Sequence, residues 1–256
     1  MNNNQHSFEG KNIVTGYDKK IIIDGVDITI PSNKISVIIG SNGCGKSTLL
    51  KTLARLIKPI SGDIVIDGKK VTSMPSKQLA KVLGLLPQSP VVPEGITVWD
   101  LVSRGRFPYQ TMLKSMSKED FEAVEEALEI MGITDLANRC VDELSGGQRQ
   151  RVGIAMAMTF QPKLLIADEP TSALDVTTQS QIVKEMMELR DKYDTSIMIV
   201  THNLAVAVYM ADKIIVMKDG EIVDRGTRDE ILNNPTSDYT KRLLASVPTW
   251  REEQHA

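Results

Sequence analysis

The 256-residue sequence predicts an α/β fold: a mostly parallel core sheet organised around a phosphate-binding loop, an antiparallel β subdomain beside it and a helical subdomain inserted into it. Three observations carry this expectation. Residues Gly40, Ser41, Asn42, Gly43, Cys44, Gly45, Lys46, Ser47 and Thr48 satisfy the P-loop pattern G-x-x-x-x-G-K-[ST] at every constrained position. The apolar runs Ile35–Ile39, Val82–Pro87, Leu164–Ala167 and Ser196–Val200 read as buried strands, each ending where open α/β sheets bind their ligands. Between the second and third of these runs, about residues 89–161 carry helical rather than strand patterning.

Composition narrows the class. An apolar fraction of 41% and a charged fraction of 25% are those of an ordinary globular chain with an ample core, which excludes a disordered or fibrous one. A net charge of -3 argues against a nucleic-acid partner held by bulk electrostatics. Two cysteines, Cys44 and Cys140, point to a reducing compartment without a disulfide framework. No apolar run approaches the roughly 20 residues needed to span a bilayer, and the polar start Met1–His6 lacks the apolar core of a signal peptide. A cytoplasmic location is expected, with any membrane contact made through a partner.

From the N-terminus, Asn12–Tyr17 reads as a short strand, Val26–Ile30 alternates as a half-buried strand does, and Ile64–Gly68 is a strand ending in an Asp-Gly turn. These form the expected antiparallel sheet. Tyr17 is either a core aromatic or placed to present its ring to the base of a nucleotide. Ile35–Ile39 feeds the P-loop, and Thr48–Leu56 has helical spacing after it. In such a loop glycines let the backbone wrap a phosphate, so that successive N–H groups and the positive helix N-terminus face the anion. Lys46 then reaches the β- and γ-phosphates, and Ser47 ligates Mg²⁺.

The run Val82–Pro87 ends at Gln88, whose amide is either a plain strand-end polar group or one that touches both Mg²⁺ and an attacking water. Pro90, Pro93 and Gly95 break the chain before Val98–Val102, and Arg104–Tyr109 is expected as an exposed basic and aromatic patch. Ser117–Asp120 has the form of a capping box opening a helix with Phe121, Val124, Leu128 and Met131 on one face and Gly132 as its stop.

In Leu144, Ser145, Gly146, Gly147 and Gln148 a good N-cap precedes two glycines that leave the first helical N–H groups uncovered, a second anion site or simply a capped flexible turn. Helical spacing follows through Met158. Asp168 and Glu169 end a buried strand and can divide the work of phosphoryl transfer, Asp168 holding Mg²⁺ through water and Glu169 polarising the attacking water. Ser172–Asp175 leads into an amphipathic helix through Ile182, Met186 and Leu189, and the strand Ser196–Val200 delivers Thr201 and His202 to the same kind of strand end, where His202 is placed to contact a γ-phosphate. Lys213–Val223 reads as a hairpin with an Asp-Gly turn, a last helix spans about Ser237–Ser246, and the tail beyond is polar.

Taken together, Gly40–Thr48, Gln88, Leu144–Gln148, Leu164–Glu169, Ser172–Asp175 and His202 resemble, in order and spacing, the ATP-binding subunit of an ABC transporter across nearly the whole chain. The resemblance implies a RecA-like P-loop NTPase core over residues 1–246, with the helical subdomain at about 89–161 and a polar tail at 247–256. It implies a head-to-tail dimer in which each ATP, with Mg²⁺ bound by Ser47, Gln88 and Asp168, lies between the P-loop of one copy and Ser145, Gly146, Gly147 and Gln148 of the other. By the same resemblance Tyr17 stacks on adenine, Gln88 links the site to the membrane partner, Glu169 is the general base and His202 steadies the γ-phosphate. No motif is degenerate, so both sites should hydrolyse ATP. The implied partners are two transmembrane permease subunits at the cytoplasmic face of the membrane and, indirectly, an extracytoplasmic substrate-binding protein, with no nucleic acid.

For cargo, Leu101–Tyr109 resembles the ATPases of iron–siderophore, haem and cobalamin importers, whereas Ser172–Val176 and Asn234–Leu244 resemble those of peptide and nickel importers. The first stretch belongs to the insertion that faces the transporter, which favours an iron–siderophore. Soluble family members of DNA repair or translation usually carry long coiled-coil or zinc-bearing insertions or two cassettes in one chain; neither is evident here. No added regulatory domain is expected after the last helix. Cys44, close to a helix N-terminus, is either a reactive thiolate or a buried, inert thiol.

Overall fold

A computed structural model describes residues 6–18, 20–88, 92–110 and 116–246. The polar start before His6, the breaker Pro90, the expected beginning of the insertion at Ser89 and the polar tail 247–256 lie outside the described residues. In chain order the first elements are β1 (Phe8–Tyr17), β2 (Lys20–Ile30), β3 (Ile35–Ile39), α1 (Lys46–Leu53), β4 (Ser61–Ile66) and β5 (Lys69–Lys70). Then come α2 (Ser76–Leu79), β6 (Leu83–Leu86), α3 (Val98–Ser103), α4 (Lys118–Ile130), α5 (Gly146–Met158), β7 (Leu164–Asp168) and α6 (Val176–Tyr193). The last are β8 (Ser196–Thr201), α7 (Leu204–Met210), β9 (Lys213–Lys218), β10 (Glu221–Thr227), α8 (Arg228–Asn233) and α9 (Asp238–Ala245). They divide into two compact units, Met1–Ser73 with Ser196–Ala256, and Met74–Thr195.

In the first unit β3 lies between β8 and β9 and runs parallel to both, Val37 pairing with Ile199 on one side and Ile214 on the other. All five residues of β3 are buried, which is why it is apolar at every position but Ser36. β10 returns antiparallel to β9 through Asp219 and Gly220, both at positive φ, as the Asp-Gly pair predicts. A separate antiparallel sheet has the strand order β2-β1-β4-β5. It is tied to α1 by a buried hydrogen bond of 2.9 Å between the hydroxyls of Thr15 and Thr52. Its strands are longer than the alternation suggested, because bulges along the β1–β2 pairing interrupt the period-two pattern. Helix α1 starts two residues before the expected Thr48 and stops at Leu53, where Arg55 turns into a left-handed conformation (φ 57).

In the second unit β6 and β7 pair in parallel, Leu83 opposite Leu164. Ser117 and Asp120 form the expected reciprocal cap on α4, and Val124, Leu128 and Met131 are buried beneath it. Phe121 is not part of that buried face. It is 46% exposed, with its ring stacked on Trp99 at a centroid distance of 5.9 Å. The expected exposed patch Arg104–Tyr109 is corrected at Arg106, while Arg104, Phe107 and Tyr109 are exposed as expected. Arg106 turns inward, donating from Nε to Asp120 Oδ1 (2.7 Å) and from Nη1 to the carbonyl of Thr159 (2.8 Å), while Phe107 stays exposed. The Tyr109 ring, 41% exposed, has its centroid 4.2 Å from the Arg106 guanidinium and 4.6 Å from the Lys81 ammonium. Helices α2, α7 and α8 were not expected. Each has four to seven residues, too few for a helical period to show in sequence.

Candidate functional site

The loop between β3 and α1 is shaped by its own backbone. Gly45 has φ 102, and a Cβ there would stand 2.7 Å from the Ile23 side chain, so a side chain at this position meets both strain and collision. Residues 41–43 are exposed while Cys44, Gly45 and Lys46 are buried. The Lys46 ammonium donates to the carbonyls of Gly40 (2.8 Å) and Ser41 (2.9 Å), holding a cation against the mouth of the loop. The N–H of Ser41 donates to the Tyr239 hydroxyl (3.0 Å), a residue 198 positions away that no local signal marked.

Cys44 is 3% exposed, and desolvation pushes its thiol pKa up although the Lys46 charge opposes the shift. Burial therefore favours the inert reading of Cys44 over the thiolate that a helix N-terminus would promote. Beside the loop, Ile39 pairs with Thr201, so Gly40 and His202 leave adjacent parallel strands at the same end. His202 is exposed there, and the Asn203 N–H donates to Thr201 Oγ1 (3.0 Å) as α7 begins. Tyr17 ends β1 at 46% exposure, ruling out a core role. It pairs with Lys20, at the end of the sheet from which Ile22 and Ile23 reach Gly45.

In the second unit Leu86 pairs with Ala167, so Gln88 and the pair Asp168 and Glu169 likewise follow the ends of neighbouring parallel strands. Asp168 is 7% exposed and Glu169 takes a left-handed backbone (φ 50), uncommon for a residue with a side chain. A serine hydroxyl at Ser47 and a buried carboxylate at Asp168 are oxygen donors of the kind Mg²⁺ prefers.

Ser145 caps α5, accepting from the Gln148 N–H (3.3 Å) while Gln148 Oε1 accepts from the Ser145 N–H (3.0 Å). Gly147 has a second purpose beyond baring N–H groups: a Cβ there would lie 2.6 Å from the Thr178 methyl. Thr178 is pinned in turn by Asp175, the N-cap of α6, which accepts from its N–H (2.9 Å) and hydroxyl (2.7 Å) and whose carboxyl those bonds hold below the usual range. Asp175 thus sets the seat of the glycine turn, a role not visible in the sequence.

A family model described as ABC transporter matches residues 23–172. Over 217 residues the chain is 48% identical to the "Probable siderophore transport system ATP-binding protein YusV" of Bacillus subtilis, covering 85% of this chain and 79% of that protein. Over 245 residues it is 44% identical to the petrobactin import ATP-binding protein FpuD of Bacillus anthracis, covering 96% of this chain and 90% of that one. Among solved structures, cbiO1 from Clostridium perfringens, part of the ABC transporter complex cbiONQ, superposes with a TM-score of 0.79 at 30% identity, over 88% of this chain and 89% of its own.

Proposed function

The chain belongs to the ABC transporter family, and from that premise we propose that it is the ATP-hydrolysing subunit of an importer that takes up an iron–siderophore complex through partner membrane subunits. The observation that carries the cargo is the high identity, over most of both chains, to the siderophore and petrobactin proteins of the two Bacillus species. Among the described residues no helix is long and apolar enough to cross a membrane, so the passage itself belongs to two permease subunits, on whose cytoplasmic face this chain sits. The helical subdomain expected at about residues 89–161 grips them, and an extracytoplasmic binding protein delivers the cargo.

ATP is held by N–H groups within Gly40–Thr48 and at the start of α1, with the Lys46 ammonium on the β- and γ-phosphates and the Tyr17 ring on adenine. Mg²⁺ would be held by Ser47, Asp168 and Gln88, and when bound it neutralises charge on the β- and γ-oxygens. Glu169 takes the proton of the attacking water, His202 steadies the γ-phosphate, and Gln88 relays the state of the site to the membrane partner. Ser145, Gly146, Gly147 and Gln148 of a second, head-to-tail copy complete the site with helix N–H groups. Hydrolysis then requires closure of two copies on two ATPs, which couples chemistry to movement of the permease.

Deletion of this subunit should abolish uptake of radiolabelled ferric siderophore and leave peptide uptake intact. Loss of peptide uptake with siderophore uptake preserved would transfer the assignment to the peptide importers that Asn234–Leu244 resembles. Co-purification without any membrane protein pair would place the chain among the soluble repair or translation members instead.

A further inference from the structure

The peptide joining Gly40 to Ser41 is held at both ends. Its carbonyl accepts from Lys46 Nζ (2.8 Å), and its N–H donates to the phenol oxygen of Tyr239 (3.0 Å). The next carbonyl, of Ser41, accepts a second hydrogen bond from Lys46 Nζ (2.9 Å). The two carbonyls that seat the loop's ammonium therefore flank the one N–H that Tyr239 receives.

Tyr239 is itself firmly placed. It lies in the first turn of α9, and its N–H donates to the Ser237 hydroxyl that caps the helix (3.2 Å). The turn before it is gathered by the buried Asp224 carboxylate of β10, which accepts from the Thr236 N–H (2.9 Å), the Thr236 hydroxyl (3.0 Å) and the Ser237 N–H (3.1 Å). The Lys218 ammonium stands 5.8 Å from the Tyr239 ring centre. The segment 234–244, which has no part in the hydrolysis described above, is thus built into the entry of the P-loop.

We propose that Tyr239 is a positioning residue of the ATP site: its hydroxyl orients the Gly40–Ser41 peptide and, through the Gly40 carbonyl, the Lys46 ammonium. The proposal rests on the reading of Gly40–Thr48 as the triphosphate loop. Removing the hydroxyl in Tyr239→Phe keeps the ring in place and leaves the Ser41 N–H to water, so the loop loses its outer restraint.

The test is isothermal titration of MgATP into the full chain, with melting of the nucleotide-free protein as a companion measurement. Tyr239→Phe should weaken MgATP binding by about threefold to tenfold, the range expected for one hydrogen bond, at an unchanged melting temperature. Tyr209→Phe, on an exposed ring of α7, should match the wild type, and Lys46→Ala should lose most binding. Wild-type affinity in Tyr239→Phe beside a dead Lys46→Ala would overturn the positioning role and leave the P-loop reading intact. Weaker binding matched by a lower melting temperature would overturn it too, as a general role in seating α9. Wild-type affinity in both variants would instead remove the P-loop reading, and the proposal with it.

Discussion

Cys44 sits within the loop between β3 and α1, yet its side chain is buried. Burial raises its pKa, so the thiolate fraction at neutral pH falls below that of an ordinary cysteine. Cys140 is partly exposed and is the more accessible thiol. In the native protein at pH 8, iodoacetamide should therefore modify Cys140 first, and Cys44 at least about tenfold more slowly. Peptide mapping by mass spectrometry reads the order directly, and labelling of Cys44 should become fast only in denaturant. Fast native labelling of Cys44 that MgATP suppresses would show that the loop opens to solvent.

At the scale of elements, the helical insertion depends on a polar joint between the turn after α3 and the start of α4. Arg106 and Asp120 have side-chain exposures of 12% and 7%. Burial works against ionisation of Asp120, yet the Ser117 N–H and the Arg106 guanidinium hold its carboxyl below the ordinary value. Removing one partner of such a pair strands the other charge, so Arg106→Ala should cost about 3 kcal/mol in urea unfolding at pH 7. Because the folded pKa is depressed, the stabilisation is full above about pH 4, the unfolded carboxylate pKa, and is lost as pH falls through the lower folded value. The gap between wild type and variant should accordingly narrow below pH 4. A gap constant with pH would mean that Arg106 contributes packing rather than charge.

For the whole molecule, the proposed chemistry and the proposed assembly can be separated by one substitution. Glu169→Gln removes the general base while the P-loop, Ser47 and the Ser145 turn remain, and a carboxylate facing the γ-phosphate becomes a neutral amide. With MgATP the variant should run in size exclusion as a dimer of the 28.3 kDa chain, and with MgADP as the monomer. Monomer under both conditions at concentrations well above micromolar would count against ATP-driven closure. Hydrolysis at the wild-type rate would move the base to another group, His202 being the next to test.

Much of this was legible in the residue order, and the limit has a physical origin. The P-loop, the buried strands that end at Gln88, Asp168 and His202, the caps at Ser117 and Ser145 and both Asp-Gly turns were determined by sequence alone. Each is a pattern of backbone conformation or hydrogen bonding closed within a few residues, so neighbours along the chain suffice to specify it. Tertiary structure alone decided that Arg106 points inward while Phe121 stays out, that Cys44 is sealed, that Gly147 must clear Thr178 and that Tyr239 reaches Ser41. Burial and partner are properties of the packed chain: the Arg106 bond to Thr159 spans 53 positions and the Tyr239 bond to Ser41 spans 198, and at such separations side-chain chemistry states what a residue can do but not which atoms it will meet.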